Sequence, residues 1–200
     1  MKNLIAFLVL FILTLPALAQ RNQTLIRGRV DSGGFGGPVV KFSSFNGDPA
    51  AFVGGRGGWI LNFRDGQTFI LGGGGYGLVS EHKTGTATVF EREPLYYNVG
   101  YGGFELEYIN HTRRLIHAGG MVLIGGGAIN YRDNQFDTYG KDDPFFVVEP
   151  GLHLELNVTD FFRIAGGASY RFTTGVSLDQ LDDDDLSGPS GMLTFKFGKF

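Results

Sequence analysis

The chain has 200 residues, a formal net charge of −3, no cysteine and 33 glycines, none of them in the first 20 positions. The rest of the chain is therefore about 18% glycine against an ordinary level of about 7%, yet there is no Gly-X-Y period, and Phe, Tyr, Val, Leu and Ile accompany the glycines, which excludes collagen and simple disorder. Zero cysteines exclude disulfides, thiolate metal sites, a cysteine nucleophile and a lipidated N-terminal cysteine, and the near-balanced charge lacks the basic stripe of a nucleic-acid binder.

Residues 1–20, MKNLIAFLVLFILTLPALAQ, place Lys2 before an apolar run of about 12 residues and end on Ala17-Leu18-Ala19. That is the layout of a cleaved export signal, and the run is shorter than the roughly 20 residues a transmembrane helix needs. Residues 21–33 read as a short polar lead. Residues 34–200 carry eight strand-like segments, at 38–45, 51–62, 68–79, 95–109, 115–131, 145–158, 162–173 and 191–200. They are rich in Val, Ile, Phe and Tyr, are divided by Asn, Asp, Gly and Pro, and show no apolar stripe at helical spacing. All-β is the expected fold class.

Two segments alternate cleanly. Phe146, Val148, Pro150, Leu152, Leu154, Leu156 and Val158 oppose Val147, Glu149, Gly151, His153, Glu155 and Asn157; Phe162, Ile164, Tyr170 and Phe172 oppose Arg163, Ser169 and Arg171. In 95–109 the apolar parity passes from Tyr97, Val99 and Tyr101 to Phe104, Leu106 and Tyr108, which predicts a β-bulge at Gly102-Gly103. After a short first hairpin at 46–49, short turns (63–67, 110–114, 159–161) alternate with long polar loops (80–94, 132–144, 175–190), the arrangement of a membrane-spanning barrel with short turns on one side and long loops on the other. Aromatic residues gather at both strand ends: Trp59, Phe63, Tyr108, Phe161 and Phe162 near the short turns, and Tyr96, Tyr97, Tyr131, Phe145 and Phe146 near the long loops.

Taken with the segment NVTDFFRIAGGASYRF (157–172) and the aromatic C-terminal strand TFKFGKF, this pattern resembles the small eight-stranded outer-membrane barrels of OmpA and OmpX type. Phe200 departs from it, because it shares parity with Lys196 and Gly198 rather than with Leu193, Phe195 and Phe197. The resemblance implies a single antiparallel up-and-down transmembrane barrel in the outer membrane of a diderm bacterium, monomeric and inserted by the barrel-assembly machinery. It also implies contact with outer-membrane lipid and lipopolysaccharide, and an extracellular partner met through loops 80–94, 132–144 and 175–190. Such barrels host unrelated functions, so the role expected is structural or adhesive.

With apolar faces toward lipid, Arg56, Glu105, Glu107, Glu149, Glu155, Arg163, Arg171 and Lys196 line the lumen, together with Lys41 and His153, and are expected to form a structural ion-pair lining. No catalytic residue, cofactor or metal site is expected. His82 and His111 read as solvated; His117 and His153 lie in strands, but neither belongs to a His-x-Ser pair, and an acyl-transfer set of a histidine with Glu149 or Glu155 and Ser169 is the weaker reading. The glycine runs at 54–58 and 71–77 lack the ending of a phosphate loop, and the acidic run from Asp179 to Asp185 reads as a solvated external loop. The alternatives are a soluble exported barrel holding a small apolar ligand and a narrow pore. Parity predicts that Leu154→Arg impairs membrane insertion while Gly151→Ala is mild.

Overall fold

The computed structural model describes residues 30–63, 66–89, 93–133, 137–178 and 181–200. The export segment, most of the polar lead and Asp179 lie outside them. The strands are β1 (Asp31–Phe45), β2 (Asp48–Asn62), β3 (Gln67–Leu78), β4 (Lys83–Val89), β5 (Glu93–Asn110), β6 (Ile116–Arg132), β7 (Thr138–Asn157), β8 (Phe162–Thr174) and β9 (Gly188–Lys199), with a one-turn helix α1 (Asp183–Leu186) before β9. All pairings are antiparallel. β3 pairs with β5 and β1 with β9, so eight strands close into a ring. β4 stands outside the ring and pairs only with the outer part of β5.

Several long loops are thus partly strand: β4 occupies much of 80–94, β7 begins at Thr138, and β1 takes in the end of the polar lead. Thr and Val in KTGTATV suit an extended backbone, but the segment has no partner until β5 overruns the ring. The first hairpin is tight because Asn46 and Gly47 both adopt positive φ, 49° and 79°, the geometry of a type I′ turn.

Ladders through the glycine-rich strands are continuous. Gly55 faces Gly75, Gly75 faces Gly102, and Gly102 faces Gly126. No bulge interrupts β5 at Gly102-Gly103, so the expected slip is absent. Tyr97, Val99, Tyr101, Glu105, Glu107 and Ile109 all point inward. The lumen itself changes from aromatic to ionic along β5, and the apolar parity switches because the lining does. Two ladders lack rungs beside prolines: β1–β9 skips Gly37-Pro38, and β7–β8 skips Glu149-Pro150, since proline has no amide hydrogen to give.

Outside, every strand of the ring presents large apolar side chains: Phe42, Trp59, Phe69, Phe104, Ile124, Leu152, Phe172 and Phe197 stand one per strand. Around the short turns Trp59, Tyr108 and Phe161 are exposed, while Phe162 stacks on Phe197 at 4.8 Å. The second aromatic band differs from expectation. Tyr97 and Phe145 are buried inside the long-loop end with Tyr131 packed against them, Tyr96 has the opposite parity and is buried beneath the Arg132 guanidinium, and Phe146 is exposed on the outer face. Rings that fill the bore are unavailable to a girdle.

Candidate functional site: the barrel interior

The interior is layered. Phe35, Ile60, Ile70 and Ile109 close the short-turn end, with Phe200 packed against them. Phe200 stacks on Phe35 at 6.5 Å and lies 3.9 Å from the Arg163 guanidinium, so its odd parity turns it inward as a lid on this layer.

The ionic layer comes next. Glu107 of β5 meets Arg56 of β2 (2.8 Å), Lys196 of β9 (2.6 Å) and the ring of His153 of β7 (2.9 Å). Lys196 also meets Glu155 (2.6 Å), which in turn holds Arg163 (3.0 Å) and His117 (3.3 Å), while Arg56 reaches Glu105 at 2.7 Å. One step toward the long loops, Lys41 donates to Glu149 at 2.8 Å, and Tyr101 and Ser169 donate to the same carboxylate. The Lys41 ammonium also lies 3.5 Å from the Tyr76 ring centre. Four carboxylates thus meet four cations, and pairing of this completeness offsets the desolvation that isolated charges would suffer here.

Of the eight residues read from the sequence as lining, seven stand in these pairs. Arg171 differs: its described hydrogen bonds go to the carbonyls of Leu186 (2.6 Å) and Ser44 (3.2 Å), and its guanidinium lies 4.6 Å from the Phe52 ring centre. It ties α1 to the barrel mouth instead of neutralising a carboxylate. Tyr76 and Tyr101 escaped the sequence reading, Tyr76 because glycines on either side hide its parity and Tyr101 because it precedes the supposed slip.

The long-loop layer is apolar. Phe45, Phe52, Tyr97, Ile129 and Val147 pack with Leu181 and Leu186, which flank the acidic turn. The described part of the acidic run is therefore only partly a solvated loop: Asp182 and Asp185 cap α1, while Leu181 within the run and Leu186 just after it enter the bore. His82, expected in solvent, is buried edge-on against Phe45 (5.1 Å) and bonds Ser80 (2.9 Å). His111 is exposed, in a turn at positive φ.

Above the ring, residues of β7 before Pro144 are exposed or half-exposed on both faces, which puts Asp143 in water. Burial opposes its ionisation, but the Ser177 hydroxyl and amide and the Leu178 amide outweigh it and hold the carboxyl below its ordinary value. A lowered folded-state value means the tether is complete above the ordinary carboxyl range and is lost as pH falls through the lowered value. Hydrogen exchange at the Ser177 and Leu178 amides is expected to be slow at neutral pH and to lose its protection on acidification below about pH 4. Asp143→Ala should remove that protection at every pH.

Glycines facing inward make room for these side chains. A Cβ at Gly119 would meet the His153 ring and, at 3.0 Å, the Tyr108 carbonyl; at outward-facing Gly166 it would meet nothing. Gly119→Ala should therefore lower unfolding stability by about 1–3 kcal/mol, with Gly166→Ala close to neutral in the same denaturant titration.

Glu107, His153 and Glu155 bring ligand atoms within 4.8 Å of one another. The Lys196 ammonium lies 2.6 Å from both carboxylates and takes the place a metal cation would need. Ser169 donates to Glu149, while His117 and His153 face Glu155 and Glu107, so the described contacts pair no histidine with the serine.

Closure of eight antiparallel strands around an ion-paired interior, with apolar side chains outside, defines the class: this is the fold of the small eight-stranded outer-membrane barrels. Among solved structures, Neisserial surface protein A (NspA) is similar over 86% of this chain and 100% of its own, at 12% identity and a TM-score of 0.52. The attachment invasion locus protein Ail of Yersinia pestis, solved in complex with the heparin analogue sucrose octasulfate, matches over 86% and 99% at 13% identity and a TM-score of 0.49. The N-terminal β-barrel domain of Pseudomonas aeruginosa OprF matches over 85% and 99% at 14% identity and a TM-score of 0.46. No known family pattern matches the sequence, and no curated protein is similar to it in sequence.

Proposed function

We propose that the chain spans the outer membrane as a barrel closed by its own side chains, without catalysis, and acts through envelope structure or through its long loops. The observation that carries this reading is the belt of large apolar side chains exposed on all eight strands of the ring. A soluble protein with so continuous an apolar surface would aggregate, whereas lipid is the solvent such a surface requires. The charge balance within the ionic layer and the apolar layers on either side of it support a structural lining over a water-filled channel.

The surrounding lipid includes lipopolysaccharide, insertion uses the barrel-assembly machinery after the export signal is cleaved, and an extracellular partner meets loops 80–94, 132–144 and 175–190. The detergent-folded chain is expected to shift in gel mobility between unheated and boiled samples and to fractionate with the outer membrane. An unshifted band in the soluble periplasmic fraction overturns the transmembrane reading. Steady conductance in planar bilayers overturns the closed lumen alone.

A further inference from the structure

A groove in the outer wall lies over the interruption in β7. The β7–β8 ladder passes from Val148–Phe172 to Gly151–Ser169 without rungs at Glu149 and Pro150. Over this seam lies an apolar depression of about 650 Å³, bounded by Leu106 and Tyr108 on β5 and by Leu152 and Tyr170 on β7 and β8. Its floor is low because Gly120 and Ala168 carry almost no side chain. Met121 and Ser169, whose side chains face the lumen, also border it, so part of its floor is strand backbone at the paired rungs Met121–Gly151–Ser169.

We propose that this groove is a binding site for one hydrocarbon chain of a membrane lipid. The proposal rests on the transmembrane reading, which makes the groove continuous with the lipid-facing belt. Chains in the general belt lie against protruding Phe and Leu side chains and exchange freely. A chain in the groove is flanked by them on two sides and touches the wall beneath, which multiplies its dispersion contacts. The lining offers almost no polar group, so a headgroup is not what it recognises; the shape suits a thin, flexible, apolar chain.

The test uses the full chain with its single tryptophan removed by Trp59→Phe and one tryptophan introduced by Leu106→Trp, at the groove, or by Leu193→Trp, outside it. These positions are matched in exposure, at 40% and 39%. Each barrel, folded in detergent micelles, is titrated with phosphatidylcholine bearing brominated acyl chains, which quench tryptophan on contact. Quenching at position 106 is expected to saturate at about one lipid per barrel, while position 193 shows only a weak, non-saturating decline. Gly120→Phe fills the floor and should abolish the saturating component; its outward Cβ meets only Leu152 at 3.4 Å and the Gly151 carbonyl at 3.7 Å. Should that variant lose its heat-shifted band, Ala168→Phe replaces it.

Equal, non-saturating quenching at both positions in a barrel that enters vesicles overturns the groove and leaves the transmembrane reading intact. A chain that neither enters vesicles nor shifts on heating overturns both. Protein self-association that tracks Gly120→Phe, without saturable lipid quenching, assigns the groove to a second copy and likewise refutes the proposal.

Discussion

Glu107→Ala is expected to destabilise the folded barrel by about 3–5 kcal/mol, because it strands buried cations instead of simply deleting a contact. Glu107 is fully buried, and its carboxylate is shared by Arg56 and Lys196. Arg56 keeps Glu105 and Lys196 keeps Glu155, but four buried or largely buried cations then face three carboxylates. Urea unfolding of the barrel in vesicles, followed by loss of the unheated gel band, reads this directly. Combining Glu107→Ala with Lys196→Met restores the charge balance and should recover a substantial part of the loss. A double variant no better than the single would mean that packing, not charge, sets the cost.

Leu152→Arg should cost about 2–4 kcal/mol and reduce insertion, the penalty of a cation on the lipid face near the midplane. Leu152 is 74% exposed, against 60% for Leu154, and it lies farther from the short-turn end of β7, so it is the more sensitive of the two positions. Insertion into vesicles and unfolding midpoints of both arginine variants check the order. Gly151→Ala is a poorer inward control than parity alone suggests: its Cβ would meet Ser169 at 3.0 Å and the Ala168 carbonyl at 3.1 Å, so a neighbour must move. Gly191→Ala, with nothing nearby, is the appropriate neutral reference on the outer face.

The facing of the cleanly alternating strands was legible because side chains alternate at a period of two, a local property that Leu152, Leu154 and Glu155 display without knowledge of any partner. Strand number followed from turn residues, and loop sorting followed from lengths. Legibility failed wherever glycine removed the marker, and at Gly102-Gly103 it misled: a change in what fills the bore imitates a change in backbone register. The outer aromatic band failed for a related reason, since proximity to a loop does not say whether Tyr97 or Phe145 turns inward.

Sequence by itself therefore determined the eight segments, the two faces of the clean strands and the inward set of charges. Only the tertiary structure decided which charges meet. Lys196, Glu107, Glu155 and Arg56 come from four strands, β9, β5, β7 and β2, and their heights are set by the stagger with which the ring closes. Closure also carried β4 outside the ring, gave Arg171 to the carbonyls of Leu186 and Ser44, and turned Phe200 against Phe35. Alternation is written residue by residue along one strand, whereas stagger is a property of all eight strands together and has no local signature.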